Sequence, residues 1–287
     1  MKTILVLTDF SENAKHAAKS AMALSENLHA DILLYNSFVM APATPYYVGG
    51  PLVTEGIMWF SDESKDQLQK LAEYLETCCD QLAEGQFNPK INCANGEGNL
   101  GKDVADIVKH KDIELVVMGS RSGGTMEHIL MGSDTNSVIN HTTRPVLVVP
   151  PKSDFKGIRK VVFATDFDDA DIKALNYLEE LKNALHFDIE VVHVSLNNED
   201  DKKDFGQEVI FALMINSLRD ANITYKTISG KDVINRLNRL CHETKADVLA
   251  LVHYKNSFLS RIIQASKTKE ALSHQKIPLL IIPSKMT

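Results

Sequence analysis

The chain has 287 residues, 44% of them hydrophobic and 24% charged, and carries a formal net charge of −7. That length accommodates one or two domains with cores of their own, in a composition ordinary for a globular protein. The acidic balance gives no footprint for nucleic acid or an anionic membrane surface, and no apolar run is long enough to span a bilayer.

The opening MKTILVLTDF reads as a short apolar strand that meets an acid at Asp9. It lacks the apolar core of a signal peptide, so a cytoplasmic protein is expected. Glu12 to Leu28 sets Ala17, Ala21, Leu24 and Leu28 on one helical face, with Ser11 as N-cap. A second strand, ILLY, follows. The insert from Phe38 to Phe60 then brings three prolines, three glycines and five aromatics. Such a segment is a lid or a contact surface, or it packs Met58, Trp59 and Phe60 into the next helix. Partial packing, with some residues left for a partner, is expected. Ser61 to Leu82 is a longer amphipathic helix, and a weak strand lies near Lys90 to Cys93. Gly101 to His110 and Met131 to His141 are shorter helices, separated by the strand LVVM and followed by VLVV. These strands are Val/Ile/Leu runs without alternation, the pattern of a parallel sheet covered on both faces. Cys78, Cys79, Cys93 and Cys241 show no metal-ligand spacing and read as reduced thiols.

The whole series then repeats. KTILVLTDF at Lys2 is answered by RKVVFATDF at Arg159; Asp9 and Asp166 stand 157 positions apart, as do His29 and His186. GKDV occurs at Gly101 and again at Gly230, and RPVLVVP is matched by IPLLIIP. The period is too long for a solenoid and implies duplicated domains, 1–151 and 158–287, joined near Lys152 to Gly157. The expected fold is α/β: two tandem, doubly wound, five-stranded parallel-sheet domains related by a pseudo-twofold.

In an open parallel sheet, ligands bind at the carboxyl ends of strands, at the switch point. That selects Thr8-Asp9-Phe10-Ser11 after strand one, Asn36 onward after strand two, and GSRSGGTMEHILMGSDTNS, Gly119 to Ser137, after strand four. Glycine lets the backbone approach a ligand, and a helix starting at Gly132-Ser133 would offer free amides to a phosphate. The same glycines would also serve simply to shape a strand-to-helix connection.

This loop resembles the signature of the universal stress protein family: Gly-x2-Gly-x9-Gly followed by Ser or Thr, then a helix and a closing Pro-Val-Leu-Val-Val strand. Here the pattern reads Gly119, Ser122, Gly132 and Ser133, and the family's strand-one aspartate is Asp9. The resemblance extends over nearly the whole chain, once per copy, and implies an adenine nucleotide alpha-hydrolase-like fold. It implies an adenine nucleotide, ATP or AMP, with or without Mg²⁺, as ligand of the first copy. The base end would be held by Thr8, Asp9 and Asn36, and ribose and phosphates by Gly119, Ser122, Gly132, Ser133 and Thr135. It implies pairing of the copies through their last strands, with a homodimer as a further option. Two positions depart from the pattern: Ser122 replaces the second glycine, and Asp134 follows Ser133. An acid there points away, disfavours a highly charged ligand, or shares Mg²⁺ with it.

The second copy reads HYKNSFLSRIIQASKTKEA at the corresponding loop and has lost its glycines; His253 is aligned with Gly119 and Ala265 with Gly132. Asp166 there is expected to be a structural helix cap, and the basic residues Lys255, Arg261, Lys267 and Lys269 a solvated face. His193 and His253 could meet at this degenerate pocket. GEGNLGKD, Gly96 to Asp103, imitates both a dinucleotide fingerprint and a P-loop. It lacks the hydroxyl residue after the lysine and follows a late strand, so Gly101 is read as a turn before a helix. The expected function is a stress-response protein that binds a small-molecule nucleotide and has no catalytic residues. An interaction scaffold and a slow ATP hydrolase are the alternatives.

Overall fold

The computed structural model describes residues 1–38, 51–79, 87–120, 133–151, 153, 157–196, 205–218, 220–254 and 277–286; side chains are described for all of these except 51–59, 79 and 205. Among them, the first half is β1 (Thr3–Leu7), α1 (Glu12–Leu28), β2 (Asp31–Phe38), α2 (Pro51–Cys79), β3 (Ile91–Glu97), α3 (Leu100–His110), β4 (Ile113–Gly119), α4 (Ser133–His141) and β5 (Val146–Val149). The second half is β6 (Lys160–Ala164), α5 (Asp169–Leu185), β7 (Asp188–Leu196), α6 (Phe205–Leu218), β8 (Ile223–Gly230), α7 (Val233–Thr244), β9 (Val248–His253) and β10 (Leu279–Pro283).

The strands form one ten-stranded sheet in the order β3-β2-β1-β4-β5-β10-β9-β6-β7-β8. Each half has the same internal order and is parallel throughout. The halves join where β5 and β10 run antiparallel, with Leu280 opposite Leu147 and Ile281 opposite Val146. Successive side chains of a strand point to opposite faces, so the apolar runs feed two cores. Ile4 and Val6 lie with α1, α2, α5 and α6; Leu5 and Leu7 lie with α3, α4 and α7. Both cores cross the seam, and α1 touches α5 there.

The duplication is visible in the backbone. Phe10 and Phe167 have φ of 64° and 65°; His29 and His186 end α1 and α5 in the left-handed region at 48° and 58°. A left-handed phenylalanine is strained. Each is held by the same hydrogen bond, from its N–H to the hydroxyl of Thr8 or Thr165, at 3.0 Å.

Several expectations are corrected. GKDV is not a structural repeat: Gly101 is the second residue of α3, whereas Gly230 is the last of β8. Gly101 is thus no turn. A Cβ there would stand 2.6 Å from the carbonyl oxygen of Ser137, so glycine is what lets α3 and α4 cross. The second strand runs past Asn36 to Phe38. The weak third strand spans Ile91–Glu97; as an edge strand it is largely exposed or half-exposed, which is why its apolar signal was thin. Helix α2 starts at Pro51, ten residues ahead of Ser61, so the insert is helical from there. Proline suits that first turn because its missing N–H would be unpaired anyway. The rest of the insert, 39–50, and the packing of Met58 and Trp59 lie outside the described residues; Phe60 is 40% exposed. Most of the joining segment lies outside them too, but Ser153 is buried, its hydroxyl 3.0 Å from His16 Nε2. Cys78, Cys93 and Cys241 are free thiols, and burial pushes that of Cys241 up to about 12. No helix among the described residues is long and apolar enough to cross a membrane.

Candidate functional site

The switch point of the first half lies between β1 and β4. From β1 the chain crosses over α1 to β2 on one side, and over α3 from β3 to β4 on the other. The carboxyl ends of these strands enclose a cavity of about 240 Å³. Leu7, Thr8, Asp9 and Ser11 border it from β1 and the start of α1, Asn36 and Ser37 from β2, and Met118, Gly119 and Ser120 from β4. Asp134 and Thr135 close it from the first turn of α4.

Local sequence dictates this geometry. Ser11 caps α1, its hydroxyl accepting Ala14 N–H at 3.2 Å. The same hydroxyl donates to Asp9 Oδ1 at 2.6 Å, and Ser11 N–H donates to that oxygen at 3.1 Å. The Asp9 side chain is thereby fixed at the rim while staying exposed. Asn36 braces three elements: its Nδ2 donates to Thr8 O at 2.8 Å, and its Oδ1 accepts from the Ser64 hydroxyl of α2 at 2.8 Å. Ser37 donates to Asp103 Oδ2 at 2.9 Å and so ties β2 to α3. Burial, with Asp103 beside it, holds the Tyr35 phenol far above its ordinary range.

Gly119 serves close packing. A Cβ would lie 2.9 Å from Asn13 Nδ2 and 3.0 Å from the Asn13 carbonyl oxygen, so glycine admits the start of α1 against β4. Asn13 Nδ2 in turn donates to Ser120 O. The Ser120 residue is 2% exposed, and its hydroxyl has no partner among the described residues. A buried hydroxyl without an internal partner is unusual, and this one borders the cavity. The donors and acceptors around the cavity therefore fit a polar, multi-hydroxyl ligand, with Leu7 and Met118 as an apolar floor.

Of the expected site residues, Thr8, Asp9, Asn36, Gly119 and Thr135 border this cavity. Ser133 opens α4 beside it, is exposed, and donates to Asp134 Oδ1 at 3.3 Å. Ser122 and Gly132 lie outside the described residues. Asp134, for which an outward orientation was one option, is on the wall. Ser37 and Ser120 fall in the two loops the sequence selects but were not singled out as contacts; sequence reading missed the turn Gly98-Asn99-Leu100, which also borders the cavity. That turn was set aside with its misleading glycine motif. Pairing of β2 with β3, which sets Phe38 opposite Glu97, is what carries it to the site.

The second half repeats the frame with other side chains. His193 stands 157 positions after Asn36, and its Nδ1–H donates to Thr165 O at 3.0 Å as Asn36 does to Thr8 O. Its ring stacks on Phe167 at 4.4 Å. The strand registers put Val252, not His253, at the place of Gly119, and His253 at the place of Ser120. His253 Nε2 lies 3.2 Å from Asn140 Oδ1 of α4. Alternation puts His193 on the sheet face of Val191 and His253 on that of Leu251, which are opposite faces, so the two histidines do not meet. Nor is Asp166 the helix cap. Asp168 caps α5, accepting from Ala170 N–H at 3.3 Å and from the Tyr254 hydroxyl. Asp171 stands where Ala14 borders the first cavity, fully buried, its Oδ2 accepting from the Thr165 hydroxyl at 2.6 Å and Asp166 N–H at 3.0 Å. Burial raises both carboxyls, Asp171 to about 7; the charge of Asp166 adds to the rise at Asp171, while a hydrogen bond from Asp171 favours the ionised form of Asp166.

These features define a doubly wound α/β protein with its cavity at the switch point of the first repeat. The model of the universal stress protein family matches residues 1–150, and the chain belongs to that family. Two universal stress proteins of Methanocaldococcus jannaschii are 27% and 26% identical to it over 154 and 158 residues. These matches cover 52% and 53% of this chain and 81% and 96% of theirs. A universal stress protein from Archaeoglobus fulgidus matches over 98% of both chains with a TM-score of 0.74 at 15% identity, a likeness of fold.

Proposed function

We propose that the first half binds an adenine nucleotide in the cavity between β1 and β4, and that the second half is its structural or regulatory partner. The observation that carries this reading is the cavity's position. It lies at the switch point, and five residues that the family resemblance assigns to nucleotide contact border it: Thr8, Asp9, Asn36, Gly119 and Thr135. Asp9 and Ser11 offer hydrogen-bonding groups at the rim, and Ser120 offers a buried hydroxyl. The protein acts in a stress response by binding, in the cytoplasm, and does no chemistry on the nucleotide; phosphate release from ATP is expected to stay at the level of buffer.

Mass spectrometry of small molecules released from the purified chain, followed by calorimetric titration with adenosine, AMP and ATP with and without Mg²⁺, tests the reading. One adenine ligand per chain is expected; two per chain, or none for any ligand, would overturn it. Replacing Asp9→Ala removes a charge-assisted hydrogen bond at the rim and is expected to weaken binding by roughly 1.5–3 kcal/mol, about tenfold or more. Unchanged affinity in that variant counts against Asp9 as a contact. A scaffold reading is favoured by one observation, the outer face of α6, where Ile210 and Leu213 are 67% and 63% exposed.

A further inference from the structure

The first and second halves differ most sharply in what fills the corner between the first strand and first helix of each. In the first half that corner holds Ala14, and Asp9 stands exposed at the rim. In the second half it holds Asp171, fully buried, next to Asp166. Asp171 Oδ2 already accepts two hydrogen bonds, from the Thr165 hydroxyl and the Asp166 amide. Its Oδ1 is buried with no hydrogen-bond partner among the described residues, and so is Asp166 Oδ1. Neither carboxyl has a lysine or arginine against it among the described residues; the other charged or titratable groups facing them are Asp168 from the same turn, His193 from β7 and Tyr254 after β9. Asp168 adds negative charge, while the His193 Nδ1–H is spent on Thr165 O.

Two carboxylates cannot both be ionised side by side in a buried corner at low cost. The two carboxyls lie within hydrogen-bonding reach of each other, and a proton shared between them supplies the donor that their unpaired oxygens lack. We propose that Asp166 and Asp171 share one proton, and that its release loosens the junction of β6 with the start of α5, so the second half is a pH-sensitive element. The charges balance simply: the pair carries one negative charge when closed and two when the proton passes to solvent. The raised titration of both carboxyls agrees with this arrangement. The device is independent of nucleotide binding in the first half, since it uses none of the residues at that cavity.

Replacing Asp171→Asn copies the protonated acid. Its amide oxygen still accepts from Thr165 and Asp166 N–H, and its NH₂ donates to the Asp166 carboxylate. The test uses the full chain. Amide-exchange protection in the first turn of α5 is compared between wild type and D171N from about pH 5 to about pH 8, alongside NMR titration of aspartate side-chain carboxyls. In wild type, one carboxyl is expected to titrate near neutrality, and protection at Ala170 and Asp171 to fall by about tenfold or more across that range. In D171N the neutral titration should vanish and protection should stay level. D166N provides a second handle: with its charged neighbour gone, Asp171 should titrate at distinctly lower pH. A wild-type Asp171 that titrates with ordinary carboxylates, or protection profiles that match in wild type and D171N, would overturn the proposal.

Discussion

At the scale of single residues, Gly119 and Asp171 illustrate two kinds of constraint. Gly119 was legible as a glycine at a strand end, but the reason for it was not. Its neighbour is Asn13, 106 positions earlier, and only the pairing of β1 with β4 brings α1 against it. Gly119→Val is expected to destabilise the protein by about 1–3 kcal/mol through overpacking against the Asn13 backbone, read as a lower thermal midpoint. A variant as stable as wild type would show that α1 shifts freely. Asp171 gave no signal as a motif. It becomes visible only when the repeats are laid over each other at 157 positions, which puts an acid where the first copy has Ala14. The consequence for stability has a definite sign. The folded carboxyl sits near 7, above its unfolded value of about 3.9, so the native state holds the extra proton. Stability from this group is present at low pH and declines as pH rises from about 4 through about 7. Denaturant titrations should therefore show D171N gaining on wild type as pH rises; a constant difference contradicts the shift.

At the scale of elements, the central strands and the capped helices were readable because local rules and tertiary context agree there. Helix α1 runs from Glu12 to Leu28 with Ser11 as cap, as the sequence predicts. The edge strand β3 was faint because one side of an edge strand meets solvent, which dilutes the apolar run. The first turns of α2 were hidden by the glycines and prolines of the insert, and the GKDV match misled because a four-residue identity recurs without shared geometry. Caps supply a test of element autonomy. Asp232 caps α7, accepting from Asn235 N–H at 2.8 Å. Asp232→Ala is expected to cost about 1 kcal/mol, within a range of roughly 0.5–2, while ligand titration of the first half stays unchanged. A loss of nucleotide affinity would mean that α7 communicates with the distant cavity.

At the scale of the whole molecule, the seam decides whether the halves fold as one unit. Leu147 and Leu280 face each other across β5 and β10, and both are nearly inaccessible. Each Leu→Ala change should cost about 2–5 kcal/mol. Because the two side chains lie opposite each other, truncating both leaves one shared void, and the double variant is expected to depart from additivity by roughly 0.5–3 kcal/mol. Additive losses would mean that the two strands carry their stability separately.

The antiparallel junction of β5 with β10 also bears on how the two halves have been free to change. When two separate chains assemble through such an edge, dilution separates them, and every substitution appears in both partners. Here the association is intramolecular, so it is independent of protein concentration. Each substitution also appears once. The first half has Gly119 and an open corner at Ala14, while the second has Val252, His193 and the Asp166–Asp171 pair at the corresponding places. With the copies joined end to end, a symmetric requirement becomes two independent ones, and each side can change by mutation without the other.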